Sequence, residues 1–208
     1  EEGDLSEEVR VLSEDTAVFL AKGWEPRKNP LSQGWSTLTH HGRPLLMELA
    51  CFPDSVLGSE VEKRYGKGSC IRISDWNGGD LETPEGVQLT KTMVKRHRPV
   101  HLWISCECGP FSPLQRINRR NPEQIQRLDE KQAKARKQYQ GAIQVADFAA
   151  SLGTQVHWEL SERCEAWHLP EIESFVQRHQ LQKVTCSGCA VGLRTIDKQK
   201  LLCKGWTV

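Results

Sequence analysis

The chain has no long apolar run, almost no net charge, and only two methionines and two tyrosines in 208 residues. No stretch approaches the roughly 18 consecutive apolar residues of a membrane span. Mean hydropathy is −0.55, so the expectation is a soluble protein with no membrane partner. A formal net charge of +1 excludes binding of polyanions through bulk charge. Any nucleic-acid affinity has to come from local clusters. No internal repeat or low-complexity segment is present. The opening EEGDLSEE has neither an initiator Met nor a signal-peptide pattern. It reads as a fragment cut from something longer.

What the chain does have is eight cysteines. A disulfide framework is commoner in small secreted domains, and this length is enough for a hydrophobic core of its own. The expectation is reduced thiols in an intracellular setting. Residues 6–22 fit an amphipathic helix with Val9, Leu12 and Phe19 on the core side. A linker with Pro26, Pro30 and Gly34 follows. From there strand-like and helix-like runs alternate. Strands are expected at 44–51, 69–76, 99–106, 154–161, 183–189 and 200–208, and helices at 53–66, 83–98, 121–153 and 169–180. This alternation predicts an α/β fold: a doubly wound, mostly parallel, Rossmann-like sheet with an N-terminal helical extension. The division is 1–42 for the N-terminal helix and linker, and 43–208 for the α/β domain.

Ligands of such sheets bind outside the carboxyl ends of the strands, near the point where strand order reverses. The residues expected there are Glu48, Ala50, Cys51 and Phe52; Asp75, Trp76 and Asp80; Cys106, Cys108 and Ser112; and Glu159 and Ser161. Several have plainer readings. Asp75 and Asp80 are the residue type that caps turns, and Trp76 suits a core. Cys51, Cys70 and Cys164 suit small apolar packing. Glu48 in LLMELAC is different, because a buried carboxylate needs a partner. Glu159 in VHWELS again ends an apolar strand with a carboxylate.

The thiols admit two chemistries. Cys106, Cys108, Cys186 and Cys189 have spacings compatible with a four-thiolate zinc site. Alternatively one cysteine is a nucleophile on a tight Gly-Pro turn, with Glu159 as its electrostatic partner. The segment after Cys108 is basic. Arg116, Arg119, Arg120, Arg127, Lys131, Lys134, Arg136 and Lys137 stand against Glu123, Asp129 and Glu130. It suits either a phosphate track or a solvated helix face with pairs four residues apart.

CGPFS at 108–112, after an apolar strand, resembles the Pro-Cys-Gln-x-Phe-Ser signature of cytosine-5 methyltransferases. LLMELACFPDS stands where that family has its first S-adenosylmethionine strand and turn. SDW, GGDL and WELS follow in the family's order. The segments CGPFSPLQRIN, ELSERCEAWHLP and CAVGLRTIDKQKLLCK resemble methyltransferase-like domains of protist retrotransposon polyproteins, over about residues 44–205. The resemblance implies a class I methyltransferase-like fold with S-adenosylmethionine as cofactor. It implies that Cys108 adds to cytosine C6, that Glu159 holds the N3 edge, and that Arg194 substitutes for the family's missing Gln-x-Arg-x-Arg arginines. Glu48, Ala50, Asp75, Trp76 and Asp80 would line the cofactor. Ser112, Gln115, Arg116, Arg119 and Arg120 would meet nucleic acid, DNA before RNA, which implies a nuclear location. The chain departs from the pattern at Glu107 (usually Pro), at Gly109 (usually Gln) and in ACFPDS, which has no glycine. Two alternatives remain at this point: a catalytically inactive nucleic-acid-binding or assembly module of a retroelement polyprotein, and a zinc-stabilised cysteine cluster.

Overall fold

In a computed structural model the described residues are 43–119, 121–187 and 205–208. The expected helix at 6–22 and its linker lie outside them, as do Arg120, Cys189 and Arg194. The described chain runs β1 (Leu46–Leu49), α1 (Val56–Tyr65), β2 (Cys70–Ile73), α2 (Pro84–His97), β3 (His101–Ile104), α3 (Pro122–Ser151), β4 (Gln155–Trp158), β5 (Leu160–Ser161), α4 (Pro170–Arg178), β6 (Thr185–Ser187) and β7 (Gly205–Thr207). The helices start where local chemistry says they should. Ser55, Thr83 and Asn121 each accept a hydrogen bond from a backbone N–H of the first turn, and Pro84 and Pro122 open α2 and α3. Lys95, Arg96 and His97 close α2, where positive charge favours the helix dipole.

The main sheet has the order β2-β1-β3-β4, and all four strands are parallel. The chain leaves β1 toward one edge and returns across it to β3. Right-handed crossovers therefore place α1 and α2 on opposite faces. The packing agrees. Met47, Leu49, Leu102 and Ile104 join Val87 and Val94 of α2, Tyr139, Ala142, Val145 and Ala146 of α3, and Ile172 and Phe175 of α4 in the large core. Leu46, Cys70 and Trp103 pack with Leu57 on the α1 side. Each large apolar side chain buried this way contributes about 1.5–3 kcal/mol.

Two features differ from the expected strands. The ladder strands are only four residues long, although the apolar runs are eight. The surplus residues form the turns at the two rims of the sheet. The expected strand at 154–161 is interrupted at Glu159, and its last two residues leave the parallel sheet. They pair antiparallel with β7, which also pairs antiparallel with β6, giving the order β5-β7-β6. Among the described residues, no helix is long and apolar enough to cross a membrane.

Candidate functional site

The reversal of strand order lies between β1 and β3, so the crevice at their carboxyl ends is the place to look. The turn after β1 starts with Ala50 at φ 56, a left-handed conformation that glycine usually supplies. Its N–H is held by the Ile73 carbonyl at 3.0 Å. Phe52 follows, 40 % exposed, and Trp76 at the tip of β2 is 49 % exposed. The Trp76 indole Nε1 donates to the Cys51 carbonyl at 3.1 Å and ties the two turns together. Asp75 is exposed; its Oδ1 accepts from the Trp76 N–H at 2.8 Å and from Ser74 Oγ at 3.0 Å. Asp80 is half-buried and its Oδ1 accepts from the Glu82 N–H at 2.9 Å, just before α2.

Glu48 does not point into this crevice. It is 2 % exposed and faces the first turn of α1. Ser55 Oγ donates to its Oε1 at 2.7 Å, Cys70 Sγ to Oε2 at 3.6 Å, and Arg72 Nε stands 3.8 Å from Oε2. Burial raises its pKa against the pull of Ser55 and Arg72. A Cβ on Gly58 would run into this carboxylate, which is why α1 tolerates glycine there.

The two cysteines after β3 have different surroundings. Cys106 is buried in the large core, and burial alone pushes its thiol well above the ordinary range. Cys108 is half-buried and precedes a 3-10 turn, Gly109–Phe111. Its Sγ lies 3.3 Å from Ser161 Oγ. The turn is gripped from several directions. Tyr139 OH donates to the Glu107 carbonyl at 2.5 Å, and Gln138 Oε1 accepts from the Glu107 N–H at 3.3 Å. Gln132 Nε2 donates to the Pro110 carbonyl and Gln115 Nε2 to the Gly109 carbonyl, both at 3.0 Å. Gln132, Gln138 and Tyr139 all belong to α3. The Glu107 side chain is exposed.

On the neighbouring strand end, Glu159 Oε2 accepts from Trp103 Nε1 at 3.1 Å. Trp103 stacks on His157 with ring centroids 5.6 Å apart, and His157 Nε2 is 3.1 Å from His101 Nδ1. Burial lowers the pKa of both histidines, that of His101 to about 4. Across the α1 face one register row therefore reads Arg72, Glu48, Trp103, His157. Sequence reasoning placed Ser161 at this edge but missed Arg72, His101, His157 and Cys164 as neighbours of the site. The available signal was a polar residue at every second position of CIRIS, HLWIS and VHWELS.

The remaining expected contacts are spread along the same rim. Ser112 Oγ accepts from the Leu114 N–H at 3.3 Å and starts the next 3-10 segment, Pro113–Asn118. Arg116 pairs with Glu165 at 2.9 Å, and Arg119 is exposed. Further along, Arg127 pairs with Glu123, Lys134 with Glu82 and Arg136 with Glu171. Cys186 lies in β6 and Cys189 beyond the described residues, so the expected four-thiolate set is described only in part. Among the described residues, no three His, Cys, Asp or Glu side chains converge in a way that could hold a metal ion.

Comparison with protein-family models, curated proteins and solved structures finds no match.

Proposed function

We propose that this is a cytosine-5 methyltransferase-like domain of the class I fold that presents Cys108 to a base of nucleic acid, DNA in preference to RNA. One observation carries the reading. A half-buried thiol stands at the carboxyl end of β3, beside the strand-order reversal, on a turn fixed by four side chains, with a carboxylate ending the adjacent strand. A target base taken out of its stack would place C6 against the Cys108 sulfur. The Cys108 thiolate would bond to C6 as the C5=C6 double bond opens and pushes charge into the ring, and a proton shared between Glu159 and N3 would balance that charge in the adduct.

The residues at the β1 and β2 tips suit S-adenosylmethionine. Asp75 offers a solvent-facing carboxylate for ribose hydroxyls, Trp76 and Phe52 offer exposed rings for a purine, and Ala50 makes the left-handed turn without glycine. When bound, that cofactor supplies the methyl group for C5. The strand order fits the same reading, since a doubly wound, mostly parallel sheet is what the resemblance implies. Glu48 acts from behind, holding α1 and β2 in register rather than touching ligand.

The test is a calorimetric titration with S-adenosylmethionine, paired with covalent trapping on a 5-fluorocytosine oligonucleotide. Saturable binding and a trapped adduct are expected, with the adduct lost in Cys108→Ala and kept in Cys106→Ala. Oligonucleotide binding without cofactor binding would leave the inactive retroelement module in its place. That second reading draws on Glu107, whose carboxylate neighbours the thiol in sequence and disfavours a thiolate. Stoichiometric zinc, with unfolding by chelator, would assign the thiols as ligands instead.

A further inference from the structure

Cys108 has a thiol neighbour that methyl transfer does not use. Cys164 precedes the 3-10 turn Glu165–His168 and is 2 % exposed. Its Sγ donates to the Cys108 carbonyl at 3.7 Å. The neighbouring Cys108 thiol, with burial, pushes the Cys164 thiol well above its ordinary range. Ser161 fixes the pair. Its Oγ is 3.3 Å from Cys108 Sγ, and its carbonyl accepts from the Cys164 N–H at 2.9 Å and from Trp167 Nε1 at 3.1 Å. The turn from 161 to 164 is thereby clamped onto residue 108. Both cysteines are unbridged in this structure.

We propose that Cys108 and Cys164 are a peroxide-sensitive thiol pair that closes to a reversible disulfide and takes residue 108 out of nucleophilic use. The chemistry balances with hydrogen peroxide as oxidant. The Cys108 thiolate attacks one peroxide oxygen, the O–O bond breaks, and hydroxide leaves, giving a sulfenic acid. The Cys164 sulfur then displaces the sulfenic hydroxyl group, which departs as water with the Cys164 proton. Two thiols and one peroxide become one disulfide and two waters; the sulfurs lose two electrons and the peroxide gains them. The bond formed is an S–S bond of about 2.05 Å. Cys106 is less suited to the first step because it is buried. The proposal concerns the thiols alone and holds whether or not the domain transfers methyl groups.

The experiment is peptide mapping without reductant, after peroxide treatment of the intact protein and alkylation of the remaining thiols. Trypsin releases 164–178 with one cysteine and 97–116 with Cys106 and Cys108. A parallel map on Cys106→Ala assigns the partner. The expected product is these two peptides joined with loss of two hydrogens, separated again by dithiothreitol. In Cys164→Ser the link disappears, and Cys108 is captured by dimedone as the sulfenic acid. A wild-type map in which Cys108 advances to sulfinic acid while Cys164 stays alkylatable overturns the proposal. So does a map showing a different partner, or no oxidation at Cys108. If Cys164→Ser fails to fold, the wild-type and Cys106→Ala maps decide alone.

Discussion

Glu48 and His101 lie on the same sheet face and pull stability in opposite directions with pH. Burial raises the folded pKa of Glu48 above its ordinary 4.5, so the folded state holds a proton that the unfolded chain releases. Stability from this group falls as pH rises from 4.5 toward the folded value. His101 behaves in reverse. Its folded pKa of about 4 lies below 6.5, so the unfolded chain takes up the proton first as pH falls. A buried ring with that shift loses on the order of 3 kcal/mol between pH 6.5 and 4. Urea midpoints measured from pH 4 to 8 should show Glu48→Gln removing the decline on the alkaline side and His101→Gln removing the decline on the acid side. Reactivity is a second test at this scale. Iodoacetamide should label Cys108 in the native protein and Cys106 only after unfolding, because a buried, protonated thiol is inert. A mass map of native labelling that finds Cys106 modified first would reverse the assignment. The sequence showed that Glu48 needs a partner. It did not show which, because Ser55 and Arg72 reach it from a helix and a strand whose packing is not written locally.

At the scale of elements, α3 does the most positioning. Thirty residues make a helix of about 45 Å, far longer than the four-residue strand it precedes. Its second half, with Ala142, Val145, Ala146 and Ala149, is buried against the sheet. The stretch from Gln132 to Tyr139 holds the Cys108 turn, and the turns before it extend past the carboxyl rim. Gly141 lets this helix cross the loop before α2, since a Cβ there would strike the Leu81 backbone. Gly141→Ala gains up to about 1 kcal/mol in helix propensity but forces backbone apart, and overpacking costs about 1–3 kcal/mol. The expected outcome is a lower melting temperature by calorimetry; an increase would show that the loop yields. The helices were legible because Ser55, Thr83 and Asn121, the last two followed by Pro and Glu, are local signals. Strand ends were not, because an apolar residue reads alike in the ladder and in the turn beyond it. The break at Glu159 arises from pairing with β7, nearly fifty residues away in sequence.

At the scale of the molecule, the basic segment is less available than its composition suggests. Arg116, Arg127, Lys134 and Arg136 each pair with a carboxylate, while Arg119, Lys131 and Lys137 make no ion pair among the described residues. Three phosphate contacts on single-stranded nucleic acid give a slope of about −2 in log affinity against log salt. Fluorescence anisotropy at several salt concentrations should return a slope near that value. A slope of about −5 would mean that the four pairs open on binding. The alternation of strands and helices announced a parallel α/β sheet. The same pattern did not announce the antiparallel group β5-β7-β6, since short terminal strands look alike in either direction.

The hydrogen bond from Trp103 to Glu159 has an entropic consequence. A glutamate at a strand end in water samples many rotamers, and a ligand that fixes it loses part of its affinity to that ordering, about 0.5–1.5 kcal/mol for a side chain of this kind. Here the indole, itself held by stacking on His157, has already fixed the carboxylate when the chain folds. Any ligand that engages this carboxylate, the proposed base included, would meet a side chain whose conformational freedom was given up beforehand.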